Sequence, residues 1–353
     1  MKRLILFFPI FLFVFFILGC TAEEIASKLW PQEEIIAEKA YIYLEEDLIK
    51  RKVDPARDFY WDYYLFIPSA LSKDRPLYLL VNFTDTPSWE LDDKDDSEQM
   101  EIHERHAYND VYASWKNQIA RELNVPFLVP VFPWPIPNYW LRTHALNREA
   151  MLNREKSLAR PDLQLIAMIR DAQEILAEAG FDVQEKILMN GIHHSSGFFA
   201  NRFTIIHPYM VKAVAFGNIS AMPTLPIEYW EGERLRYPVG IADIRRIAGH
   251  GFDSEEYSRV RQYIYIGTKG MISDIDDAVK DGYSFDKTEA KLIERLFGKD
   301  VMIRWQKIEQ VNKELGIPAT FVVYESFGYW DFDVSYKITE DITNFFKEVI
   351  EMQ

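Results

Sequence analysis

A chain of 353 residues that is 48% hydrophobic can build one large domain or two ordinary ones. Its 55 acidic residues outnumber 40 basic ones, a net charge of −15 with no offsetting basic block, which argues against a nucleic-acid partner. Aromatic residues reach 15%, in keeping with a well-packed core or a ring-lined groove.

The chain opens with Met1-Lys2-Arg3, a short positive segment, followed by an unbroken apolar run from Leu4 to Leu18 that is rich in phenylalanine and contains Pro9. That run is shorter than the ~20 residues of a membrane-spanning helix and has the form of a signal-peptide core. It ends in Ile17-Leu18-Gly19-Cys20, and Cys20 is the sole cysteine. This ending resembles a bacterial lipobox, although Leu18 is larger than usual at its position. The resemblance implies removal of residues 1–19, acylation of Cys20 with palmitate-type chains, and a protein exported and lipid-anchored to a bacterial membrane in the cell envelope. Several acyl chains on one cysteine hold stably where one alone is marginal. An uncleaved anchor with a free thiol is the competing reading. Without Lys2 and Arg3, 38 basic residues face 55 acidic ones, a net charge of −17.

Residues 20–54 read as a tether and an N-terminal helix over Ile35 to Lys50. From Phe59 the pattern changes: "FYWDYYLFIP" is rich in β-formers and predicts an early strand or hairpin. Short apolar runs then recur at 77–83, 126–132, 185–191, 211–217, 262–267 and 319–325. Helix-period stretches separate them at 104–123, 161–180, 198–207, 286–297, 303–315 and 339–351. Continuous apolar strands alternating with helices predict an α/β class domain over 55–353, a mainly parallel sheet with helices on both faces. "LDDKDDSEQ" (91–99) reads as a solvated loop. The 45 residues between the strands at 211 and 262 are long enough to form a cap insertion after the sixth core strand, at 219–260.

"KILMNGIHHSSGFFANRFTIIHPYMVKAVAFG" has the order strand, tight turn, helix, His-Pro, strand, and "RPDLQLIAMIRDAQEILAEAG" before it reads as the preceding helix. Together they resemble the α/β-hydrolase superfamily, in particular its secreted esterases, over residues 55 to 353. The resemblance implies a nucleophile on the strand–helix turn, with small residues two before and two after it. Two registers compete. With Ser195 as nucleophile, Gly197 is small at plus two but His193 is bulky at minus two. With Gly191 and Ser195 as the small pair, His193 takes the nucleophile position. An inserted residue that distorts the turn is a third reading.

The resemblance also implies an acid and then a histidine downstream. The acid is expected a few residues after "YIYIG", where Gly267-Thr268-Lys269 leads to Gly270. Asp274 and Asp276 lie further on and could stand in. The histidine is expected after the last strand, where Tyr329 follows Gly328. The seven histidines are His103, His106, His144, His193, His194, His207 and His250, so none lies beyond 250. Without a base a serine hydroxyl is a weak nucleophile at neutral pH. The leading expectation is therefore a non-catalytic hydrolase-fold lipoprotein that binds a ligand in the former cleft. The alternative is a serine esterase in which Ser195 attacks and His193, His194 or His250 serves as base. A third reading is an envelope protein that binds a protein or glycan.

Other residues carry weaker signals. "HERH" (103–106) is not His-Glu-x-x-His and reads as a solvated helix face. His193 and His194 are adjacent and have no identifiable third ligand, so no metal and no cofactor is expected. "PVFPWPIPNYWLRTHALNRE" (130–149) follows a strand end, where α/β folds place ligand clefts. Its Trp134, Tyr139, Trp140, Arg142 and His144 are candidate pocket residues, with His194, Gly270 and Tyr329, for a small-molecule or glycan ligand.

Overall fold

The computed structural model describes residues 34–35, 41–45, 47–84, 86–134, 141, 143–192, 194–268, 285–325 and 332–352. Cys20, Tyr139, Trp140, Arg142, His193, Gly270, Asp274, Asp276 and Tyr329 lie outside them, and the side chain of His194 is likewise not described.

The N-terminal part corrects the sequence reading. The predicted helix over Ile35 to Lys50 is instead a run of strands: β1 (Glu34–Ile35), β2 (Tyr41–Glu45) and β3 (Leu48–Arg51). They pair antiparallel in sequence order and pass on to β4 (Tyr63–Phe66). Tyr41, Ile42 and Tyr43 are good β-formers, and Glu45 pairs with Leu48 across a tight connection. Pairing to β4 outweighs the helix-like spacing of the charges, as expected where strand preference depends on neighbours. Arg51 can be buried in β3 because its guanidinium donates to Asp171 at 2.8 and 3.1 Å and to Asp54 at 2.9 Å.

The rest of the sheet follows the predicted runs: β5 (Leu80–Asn82), β6 (Phe127–Pro130), β7 (Ile187–Gly191), β8 (Val211–Gly217), a separate small hairpin of β9 (Tyr229–Trp230) and β10 (Glu233–Arg234), β11 (Arg261–Gly267) and β12 (Ala319–Tyr324). Among the described residues ten strands form one sheet, in the order β1-β2-β3-β4-β6-β5-β7-β8-β11-β12. β4 meets β6 antiparallel, and from β6 to β12 every pairing is parallel.

Alternation along these strands feeds two cores. Leu79, Val81, Met189, Val214 and Ile264 face one side, where they pack with α3 (Pro161–Glu178), α4 (His194–Ile206), α5 (Lys287–Phe297) and α6 (Val301–Glu314). Leu80, Leu188, Ala213, Ala215 and Tyr265 face the other, against α2 (Trp115–Leu123) and α7 (Phe332–Glu351). Burial on both faces is why these strands read as continuous apolar runs.

Two further readings change. The helix expected at 104–123 is broken. α1 (Asp96–Tyr108) runs into a π-turn at Asn109–Ala113, and Ser114, extended, starts α2 by accepting from the Lys116 N–H. α1 begins inside the stretch read as a loop, because Asp95 and Glu98 form a reciprocal capping box. The stretch expected as a cap, 219–260, builds no core of its own. Its Leu225, Leu235, Tyr237, Val239 and Ile241 join the α3–α4 core. The Thr224 N–H donates to Asn201 of α4 at 2.8 Å, and Arg148 ties Asp243 at 2.6 Å. The segment is a side wall along α4.

Candidate functional site

The strand–helix turn is built from backbone contact. β7 ends at Gly191 and α4 begins at His194, so Ile192 and His193 are the link. A Cβ on Gly191 would lie 2.7 Å from the Ala200 Cβ and closer still to the Ser196 carbonyl oxygen, so nothing larger than glycine fits. A Cβ on Gly197 would lie 2.7 Å from the Gly217 carbonyl and 2.8 Å from Ile219. That second glycine lets α4 lie against the end of β8. The Tyr265 hydroxyl donates to the Ile192 carbonyl at 2.7 Å and fixes the turn from the neighbouring strand.

Ser195 is the second residue of α4 and 3% exposed, and Ser196 is fully buried. The two-residue link follows the small residue Gly191, and its last position is His193. Gly191 and Gly197 are both closely packed, so each register, with His193 or with Ser195 as nucleophile, has a tightly fitted glycine two residues away.

His250 is corrected as a base for Ser195. It is exposed, and its ring lies 5.6 Å from that of His207, which follows the last residue of α4. α4 has 13 residues, or about 18 Å at 1.5 Å per residue, so His250 is at the opposite end of the helix from Ser195. His207 itself is buried and donates from Nε2 to Asp162 at 2.8 Å, and Arg160 closes on the same carboxylate at 2.9 and 2.6 Å. Arg160 and His207 hold the buried Asp162 carboxyl down at about 2 against the opposing effect of burial.

"HERH" is not a solvated face either. His103 is buried against the loops that follow β5 and β6. Its Nε2 accepts the Trp134 backbone N–H at 3.0 Å, so Nδ1 carries the proton and donates to the Thr86 hydroxyl at 2.9 Å. Burial, reinforced by His144 nearby, pushes its pKa down to about 2, and it stays neutral. The His144 ring stands edge-on 5.3 Å away and donates from Nε2 to the Phe132 carbonyl at 2.7 Å. Trp134 packs with Leu91 and Ile102. Trp134 and His144, expected to line a pocket, are buried in the packed wall that these loops form. Phe83 stacks between Phe132 and Phe199, which carries this wall onto α4.

Sequence reasoning missed the polar floor. Asn82 ends β5, Asn190 lies one residue before the end of β7, and the two are register partners. By alternation both lie on the Leu80 and Leu188 face. Both are buried, as is Thr84. Asn82 Nδ2 donates to the Phe83 carbonyl, but its Oδ1, the Thr84 hydroxyl and both amide atoms of Asn190 have no hydrogen-bond partner among the described residues. An unpaired buried polar group costs about 1–3 kcal/mol, so this cluster is expensive for the fold to keep. The only signal was an asparagine inside each of two apolar runs, "VNF" and "MNG". Among the described residues no group of three metal-ligating side chains converges.

No protein-family model matches the sequence, and no curated protein aligns with it significantly. The structure is similar to that of a poly(3-hydroxybutyrate) depolymerase from Bordetella parapertussis, with a TM-score of 0.52 at 16% identity over 85% of this chain and 88% of that one. Lower scores relate it to a poly(aspartic acid) hydrolase from Sphingomonas sp. KT-1, at 0.48 and 13% identity over 80% and 92% of the two chains. An S-formylglutathione hydrolase from Agrobacterium tumefaciens follows at 0.44 and 12% identity, over 91% and 98%. At 16% identity the likeness is one of fold. The parallel sheet, its strand order and the glycine-packed strand–helix turn agree with it: the chain has an α/β-hydrolase fold.

Proposed function

We propose that this protein is a membrane-anchored lipoprotein whose α/β-hydrolase fold binds a ligand at the strand ends without hydrolysing it. The observation that carries the loss of catalysis is the two-residue link between Gly191 and His194, which leaves Ser195 inside α4 and buried. No histidine follows His250 in the sequence, and His250 stands at the wrong end of α4. In the sequence, Gly270 and Tyr329 fall where the resemblance expects the acid and the base. Tyrosine, with an ordinary pKa of ~10, is a poor substitute for a base at neutral pH.

Retained binding is supported by the Asn82 Oδ1 and the Asn190 amide, which have no partner among the described residues. They offer donors and acceptors without charge, which suits the hydroxyl and amide groups of a small polar molecule or a glycan. Anchoring is supported by the sequence alone, from Lys2 and Arg3 through the Leu4–Leu18 run to Cys20.

The comparison structures are of hydrolases, so turnover is the decisive test. The full chain should hydrolyse short p-nitrophenyl esters no faster than background, and a fluorophosphonate should leave Ser195 unlabelled. Turnover that Ser195→Ala abolishes would sink the proposal.

A further inference from the structure

A second site lies at the other end of α4, independent of the reading above. α3 presents its outer face to a groove of about 680 Å³, bounded also by the turn at 57–60, the segment 156–160 and Tyr209. That volume is in the range of small-molecule sites, roughly 300–1,000 Å³. Tyr209 hydrogen-bonds His207 just past α4, which places the groove about a helix length from Ser195.

The charges of the lining are unevenly used. Arg57 is spent on Asp171 and Glu174, and Arg160 on Asp162. Lys156 and Arg170 have no carboxylate within ion-pair reach among the described residues, and the Lys156 ammonium sits 5.3 Å from the centre of the Tyr60 ring. Asp171 and Glu174 are already paired, so Asp58 is the lining carboxylate left to oppose these two cations. In a chain of net charge −15, this groove thus carries two cations without an ion pair together with apolar surface.

The apolar surface is equally specific. Leu163 and Tyr209, 44% and 43% exposed, are large hydrophobic residues left open to solvent, and both face this groove. His207 donates from Nε2 to Asp162, so its Nδ1 accepts a hydrogen bond from the Tyr209 hydroxyl at 3.3 Å. Tyr209 therefore shows an incoming ligand its ring and an acceptor oxygen, not a donor, and an anionic head must be met by Lys156 and Arg170.

We propose that this groove binds a small amphipathic anion, an aryl or alkyl body over Leu163 and Tyr209 with a carboxylate or phosphate-type head between Lys156 and Arg170. The test is calorimetric titration of the full chain with phenylphosphonate, against benzyl alcohol as the neutral counterpart. Saturable one-to-one heat is expected with phenylphosphonate only. The double variant Lys156→Ala/Arg170→Ala should weaken it about a hundredfold, since each charge-assisted contact is worth about a factor of ten. Leu163→Asp, on the exposed face of α3, should also weaken it by removing apolar contact and adding like charge. Lys347→Ala, an exposed cation on α7, should bind as the unaltered chain does. Equal heats with benzyl alcohol, no saturable heat, or indifference to the double variant would overturn the site. Binding to phosphatidylglycerol vesicles that needs both cations, with no phenylphosphonate heat, would overturn a small-molecule occupant.

Discussion

His103 offers a test of the wall in which structure sets both sign and size. It is buried and neutral, with its folded-state pKa pushed down to about 2 by burial and by His144. In the unfolded chain it titrates near ~6.5. Between those values the unfolded state binds one more proton than the folded state, so stability falls as pH drops below ~6.5 and does so at about 1.4 kcal/mol per pH unit. At pH 4.5 the loss from this side chain is about 2.7 kcal/mol, a large share of the 5–15 kcal/mol typical of a folded domain. His103→Gln stays neutral at every pH and keeps an amide that can donate to Thr86 or accept from Trp134. It should cost about 1–3 kcal/mol at pH 7.5 through the hydrogen bond it fails to replace. It should also flatten the pH dependence between 6.5 and 4.5 by about 1.4 kcal/mol per unit relative to the unaltered chain. Urea unfolding followed by tryptophan fluorescence at pH 7.5, 6.5, 5.5 and 4.5 measures both quantities. His207, also held below its ordinary pKa mainly by burial, contributes an acid-side slope that both proteins share. Parallel stability curves for the two proteins would show that His103 is not the buried neutral group described here.

Three further outcomes follow from particular contacts. Gly191→Ala places a methyl against the Ser196 carbonyl and Ala200, so the α4–β7 junction must shift and stability should fall by at least about 2 kcal/mol in thermal or urea unfolding, with no effect of pH. Asn190→Leu, of similar volume, removes an amide with no partner and should leave stability unchanged or raise it by about 1–2 kcal/mol while lowering affinity in a glycan and small-molecule binding screen; a marked loss of stability would mean the amide is satisfied. Cys20→Ala should accumulate as a precursor that takes up no labelled palmitate, and failure of the unaltered chain to incorporate the label would remove the anchor.

Much of the architecture was legible in the chain. The six runs beginning at 77, 126, 185, 211, 262 and 319 became parallel strands because a strand buried on both faces must be apolar throughout, and that leaves a local mark. The helix beginning at Pro161 and the glycines of the strand–helix turn were equally readable, since helical period and close backbone approach act over a few residues. The N-terminal hairpins were not. Residues 41–51 carry charges at helical spacing, and only pairing with β4, which positions Tyr63 and Arg51 around the buried Asp171, makes them strands.

The site divides the same way. Sequence alone determined that no histidine follows position 250 and that Ser195 and His193 compete for one turn. Tertiary structure decided that Ser195 belongs to α4, that His250 lies a helix length away, and that His103 is enclosed and neutral rather than exposed. It also brought Asn82 and Asn190 together across adjacent strands although 108 positions separate them in the chain. Burial, register and the direction of a helix are products of long-range packing, and a side chain's pKa and its partners follow from them. Composition and spacing specify which groups the chain carries, while the packed sheet and helices decide which of those groups meet.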